Sequence, residues 1–156
     1  MADRGFTYLG LLFGIALMSM VLAATAIVWS AQSRRDREAM LLFVGEEVAQ
    51  AIASYHDRSP AGLPPSFPKT LQDLVDDKRW PVTRRHLRRV PIDPMTGSRD
   101  WGLVFMPEGA ILGIYSQSGE RPLKRSGFSA QREGFANAET YAGWRFVYVV
   151  PNAAAN

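Results

Sequence analysis

Between Arg4 and Arg34 the chain carries no charged side chain, and Phe6 to Ser33 is dominated by Leu, Ile, Val, Met, Phe and Ala. At ~1.5 Å of rise per residue, a helix over that stretch exceeds the ~30 Å hydrocarbon thickness of a bilayer. The stretch predicts one membrane-spanning helix over 6–33. A cleavable secretory signal has a longer basic start and a shorter apolar region, of roughly 7–15 residues, before a small-residue cut site. Ala23-Ala24-Thr25-Ala26 has the small residues for such a cut, but the apolar run continues through Ile27, Val28 and Trp29. An indole at Trp29 suits the membrane–water interface, because its ring is apolar and its N–H polar.

Of the 156 residues, an anchor of this size leaves roughly 120, enough for one modest domain. The chain has no cysteine, so a disulfide framework, a thiolate metal site and a cysteine nucleophile are excluded. Basic residues number 18 against 15 acidic, a net charge of +3, and 15 of the 18 are Arg. Guanidinium favours planar pairing with carboxylate or phosphate, but so small a net charge does not point to nucleic acid. Arg4 and the amino terminus on one flank oppose Arg34, Arg35 and Arg37 on the other, so loop charge does not orient the anchor.

Arg4-Gly5-Phe6-Thr7-Tyr8-Leu9 is a charged leader, a glycine and a phenylalanine opening the apolar helix. This resembles the leader of type IV pilins and type II secretion pseudopilins. The resemblance implies that a prepilin peptidase cuts after Gly5 and methylates the new amino terminus at Phe6. Without a Cβ, Gly5 lets a protease approach an extended backbone closely. Most members of that family carry Glu at the fifth mature position, where it pairs with a neighbour's terminal amine. Here that position is Gly10, and no acid occurs between Phe6 and Asp36. Because a carboxylate in lipid is costly unless paired, the usual Glu acts as a register device, and its loss weakens ordinary recruitment into a filament. Minor pseudopilins at filament tips tolerate the lack. A second reading makes Gly10 and Gly14 a small-residue packing face between membrane helices.

Leu41, Val44, Val48, Ile52 and Tyr55 recur every three or four residues in a segment without proline, which predicts a helix over 34–55 with one apolar face. Glu38, Glu46, Glu47 and Gln50 fall mostly off that stripe and predict a solvated side. Joined to the anchor, the helix would form a continuous spine ~75 Å long, the alternative being two helices broken at Ser33. The proline-rich stretch 56–68 cannot continue a helix and reads as a loop. Phe67 to Val75 then predicts a short helix, with Thr70 as N-cap, Asp73 completing a capping box, and Leu71, Leu74 and Val75 facing the core.

Pro68-Lys69-Thr70-Leu71-Gln72-Asp73-Leu74 and Val90-Pro91-Ile92-Asp93-Pro94 are similar, in pattern and order, to segments of the major pseudopilin of type II secretion. Physically, Pro91 and Pro94 fix two φ angles while the Asp93 carboxylate can close an Asx-type turn. Trp101 to Met106, Ala110 to Tyr115 and Trp144 to Val150 are rich in β-branched and aromatic residues and predict three strands. Pro107-Glu108-Gly109 suits a tight turn between the first two. In major pseudopilins the connection corresponding to 116–143 carries calcium, an ion that takes six to eight hard oxygen ligands. Here it offers only Glu120, Glu133 and Glu139, opposed by Arg121, Lys124, Arg125 and Arg132, so a solvated loop without calcium is expected.

Arg84, Arg85, Arg88 and Arg89 place four cations within six residues and would share one side of a helix. Asp73, Asp76 and Asp77 lie close in sequence, and without interleaved aromatics the cluster reads as an assembly patch rather than a nucleic-acid site. His56 and His86 stand alone in the sequence, so no catalytic dyad or metal cluster is indicated.

The expected fold is α+β: a long N-terminal helix, its first half membrane-spanning, packed on a small antiparallel sheet in a pilin-like head. The expected divisions are a leader at 1–5, an anchor at 6–33, a periplasmic head at 34–150 and a disordered tail at 151–156. The resemblance implies a non-enzymatic subunit of a type II secretion pseudopilus, single-pass in a bacterial inner membrane, and the shortage of oxygen ligands in 116–143 leads to the expectation of no cofactor. Its partners would be other pilin-like subunits, the inner-membrane assembly platform, the prepilin peptidase and membrane lipid. Two alternatives stand beside it: a minor pilin for adhesion, motility or DNA uptake, and a signal-anchored periplasmic binding protein.

Overall fold

The computed structural model describes residues 3–149, without the side chains of residues 3–7, 23–28 and 31. Gly5 and Phe6 therefore enter as helical backbone only, and the tail 151–156 lies outside the described residues. The architecture is α+β, one long helix and a three-stranded antiparallel sheet. The chain divides into two compact units, Met1–Asp36 and Arg37–Asn156.

The helix, α1, runs Asp3–Asp57 with no break at Ser33. The first proline of the chain is Pro60, so nothing before it removes a backbone donor. Within the first unit, every described side chain from Tyr8 to Leu22 is exposed, including Phe13 at 71% and Met20 at 73%. Gly10 and Gly14 lie in this stretch with open space around their Cα atoms. Among the described residues no helix is long and apolar enough to cross a membrane. In that stretch the described side chains run without interruption only from Tyr8 to Leu22.

In the second unit, the expected stripe of α1 is buried at Leu41, Val44, Val48, Ile52 and Tyr55. Strands β1 (Gly102–Phe105), β2 (Ile111–Tyr115) and β3 (Phe146–Val147) are each shorter than their sequence patterns predict, and β2 is central. The β1–β2 turn closes through the Gly109 amide on the Met106 carbonyl at 2.9 Å, with Gly109 at φ +78°. Only glycine adopts that left-handed backbone without strain. Phe67 to Val75 is helical only as a 3₁₀ turn, Leu71–Leu74, where the Asp73 carboxylate accepts the amides of Lys69 and Thr70. Leu74 is fully buried, with Leu71 and Val75 half-buried against the core.

The stretch 116–143, expected as a solvated loop, is exposed over most of its length but sends Phe135 and Tyr141 into the core. It forms two 3₁₀ segments, Ala130–Asn137 and Tyr141–Gly143. Phe135 and Tyr141 from these join Trp144 and Phe146 in an aromatic cluster, with Phe135 stacked on Trp144 at 5.4 Å. Gly45 faces this cluster across α1. A Cβ built there would sit inside the Phe146 ring, so the one glycine of the 34–55 segment is a close-approach residue.

Candidate interaction surfaces

Glu38 does not lie on the solvated side of α1, as its charge suggested. It is 5% exposed. Its carboxylate accepts the Leu123 amide at 2.7 Å, the Lys124 amide at 3.0 Å and the Tyr141 hydroxyl at 2.8 Å. Three donors offset the desolvation that would otherwise exclude a buried carboxylate. The spacing Glu38, Leu41, Val44, Val48 follows the buried stripe, so the position was legible and only the chemistry argued against it. Glu46 also leaves solvent in part, pairing with Arg132 at 2.9 Å.

These bonds organise the segment where a metal-holding loop would lie. Glu120, Glu133 and Glu139 are exposed. Among the described residues no group of three or more His, Asp or Glu side chains could hold a metal. The cations there serve the loop itself: Arg125 donates to the Ala138 carbonyl, Arg132 to the Val147 carbonyl, and the Lys124 ammonium lies over the Phe128 ring.

At the other end of this unit, α1 terminates on Arg79. Its guanidinium donates to the Tyr55 carbonyl at 2.6 Å, one of the last carbonyls of the helix, and lies 3.5 Å from the centre of the Tyr55 ring. It also donates to the Ser59 and Ser66 hydroxyls and makes two bonds to Asp77, which is fully buried. Burial alone would raise the Asp77 carboxyl, but the bonds from Arg79 and His86 outweigh it and hold the pKa below its ordinary value. Arg79 is correspondingly raised by its bond to Asp77.

His86, expected to be isolated, belongs to this network. One ring nitrogen lies 2.9 Å from the Ser54 hydroxyl and the other 3.3 Å from Asp77. Because an ionised Asp77 only accepts, the neutral ring donates through Nε2 and accepts the Ser54 O–H at Nδ1. A hydroxyl, an imidazole and a carboxylate in that order are the parts of a nucleophile and its base. The His86 side chain is 1% exposed, however, and Arg79 grips the same carboxylate, so the chain of bonds is closed and joins α1 to the 74–87 segment. Burial lowers the His86 pKa, and Asp77 offsets this only in part. Sequence reasoning had no signal for a pairing of residues 32 apart.

The arginine-rich segment is not helical, so its side chains do not share a helix face. Arg84 lies over the Trp80 ring at 4.6 Å and its carbonyl accepts the Asp77 amide. Arg85, Arg88 and Arg89 are exposed and, among the described residues, have no ion pair. Among the described residues no ion pair joins these arginines to Asp73, Asp76 or Asp77; the Asp73 carboxylate accepts backbone amides and Asp77 is held by Arg79 and His86. Asp93 closes its turn by accepting the Met95 amide at 2.8 Å and the Ser116 hydroxyl at 2.7 Å, and is fully buried. Pro94 follows it, and the Pro91 carbonyl accepts the Trp101 indole N–H at 2.9 Å.

No protein-family model matches this chain, and neither the curated proteins nor the solved structures contain a match to it.

Proposed function

We propose that the chain is a pseudopilin-like subunit of a type II secretion pseudopilus, anchored in the inner membrane by 6–33 with its head in the periplasm. The observation that carries this reading is the apolar surface of α1 from Tyr8 to Leu22, exposed on every side. Apolar surface of that extent requires lipid or neighbouring helices to cover it. The Gly5-Phe6 junction ahead of it, and the small α+β head built on the later turns of the same helix, support the pilin-like form of the reading.

The chemistry of such a subunit is association. Anchors pack side by side, Gly10 and Gly14 allow close helix approach, and heads meet neighbours. Subunits added at the membrane by an assembly platform lengthen a short filament, which pushes cargo through an outer-membrane pore. Intact mass of the membrane-extracted chain, from cells with and without prepilin peptidase, tests this. Peptidase-dependent loss of Met1 to Gly5 with a methyl group gained at Phe6 supports the reading. Full-length mass in both strains would leave a signal-anchored head outside the pilin class.

A further inference from the structure

Arg89 and Arg99 flank an open cleft of about 400 Å³ whose other lining residues are Gln72, Val75 and Val90. Both guanidiniums are exposed and, among the described residues, neither has an ion pair. Arg85 and Arg88 add exposed charge on the segment that leads into it. Asp73, Asp77 and Asp93 are occupied by local bonds, and Asp76 and Asp100, the acids beside Val75 and Arg99 in sequence, form no ion pair with Arg89 or Arg99 among the described residues, so four exposed arginines stand against two unoccupied acids. We infer that this cleft docks a protein segment carrying carboxylates beside aliphatic side chains.

The lining decides the class of partner. A guanidinium binds a carboxylate through two parallel N–H donors, which satisfies the rim. Val75 and Val90 then need apolar atoms over them, and Val82 and Ile92, 77% and 51% exposed, extend the aliphatic surface nearby in the chain. Arginine beside aliphatic surface, with no carboxylate among the lining residues, is the composition of a protein interface core. A nucleic-acid strand would cover the guanidiniums and leave the valines bare. It would also want an aromatic platform for base stacking, and the cleft lining has none. The ring of Trp80, close in sequence, is already covered by Arg84. This inference concerns the head and stands whether or not residues 1–5 are removed.

The test uses the full chain in detergent at physiological salt and three labelled probes followed by fluorescence anisotropy. One is a short peptide alternating Glu with Leu and Val, the second the same peptide with Gly for Leu and Val, and the third an oligothymidine of equal charge. The first is expected to bind about tenfold or more tighter than either of the others. Arg89→Gln combined with Arg99→Gln removes that preference, whereas Arg35→Gln leaves it intact. Among the described residues these side chains make no hydrogen bond or ion pair, so their replacement leaves the urea unfolding midpoint unchanged. Equal binding of the glycine peptide would reduce the surface to diffuse charge and overturn the inference. Oligothymidine binding as tightly as the first peptide would reassign the cleft to nucleic acid, and full affinity in the double variant would place the contact elsewhere.

Discussion

Removal of the Glu38 carboxylate tests whether a buried charge, rather than the apolar stripe alone, holds the 116–143 segment on α1. Glu38→Ala removes the acceptor of three donors. The Tyr141 hydroxyl belongs to a fully buried residue and loses its bond to Glu38, whereas Leu123 is exposed and water can reach part of the gap. Counting about 2 kcal/mol for the buried hydroxyl and about 1 kcal/mol for each amide gives a loss of about 4 kcal/mol. Glu38→Gln keeps one accepting oxygen. If that oxygen serves Leu123 and Tyr141, which share Oε2, the new amide faces the Lys124 N–H, and the loss is about 2 kcal/mol. Urea unfolding of the solubilised chain, followed by the emission of the buried Trp101 and Trp144, measures both. Glu46→Ala is the internal reference, since that carboxylate is 45% exposed and its pair with Arg132 contributes only ~0–1 kcal/mol. A Glu38→Ala loss no larger than that of Glu46→Ala would refute the argument.

Gly45→Ala should destabilise by about 1–3 kcal/mol despite a better helix propensity, because its Cβ displaces the Phe146 ring, while Gly14→Ala should cost nothing. Paired thermal melts of the two variants check this. Arg79→Lys should lose most of what Arg79→Ala loses, about 3–5 kcal/mol, since an ammonium cannot bridge Asp77, Ser59, Ser66 and the Tyr55 carbonyl together. Equal stability of Arg79→Lys and the parent would contradict it. The His86 pKa is lower folded than unfolded, so below about pH 6.5 the unfolded chain takes up a proton that the buried ring resists. Stability is therefore retained above that pH and declines on acidification. Unfolding midpoints between neutral and mildly acidic pH should show a smaller decline in His86→Gln, with Asp77, Arg79 and Arg84 left in place. Gly10→Glu should raise incorporation into filaments, read as crosslinked multimers; an unchanged or lower yield would argue against ordinary pilin packing at that position.

Much of the architecture was legible because it rests on periodicity. The spacing of Leu41, Val44, Val48, Ile52 and Tyr55 names a buried helix face without reference to any partner, and the absence of proline before Pro60 allows one uninterrupted helix. The Pro107-Glu108-Gly109 turn was equally local, since its geometry depends on a residue that accepts positive φ. What failed was the expectation of solvent exposure at Glu38 and, within the 116–143 segment, at Phe135 and Tyr141, whereas Glu47, Gln50, Glu120, Glu133 and Glu139 are exposed as expected. Glu38 followed the buried spacing, but its desolvation is offset only by donors supplied 85 to 103 residues later. The 116–143 segment lacks regular periodicity, so nothing local announced that Phe135 and Tyr141 would enter the core.

By itself the sequence determined the long helix, its apolar opening, the buried stripe and the approximate places of three strands, because propensity, patterning and turn chemistry act over a few residues. Only the tertiary structure decided which charges are spent internally. Asp77 lies two residues from Arg79 and seven from Arg84, and the sequence alone does not say which cation it meets. Folding assigns it to Arg79 and His86 at the end of α1, and thereby leaves Arg85, Arg88 and Arg89 without an acid of their own. That assignment is a matter of three-dimensional reach and competing desolvation, neither of which a linear pattern carries.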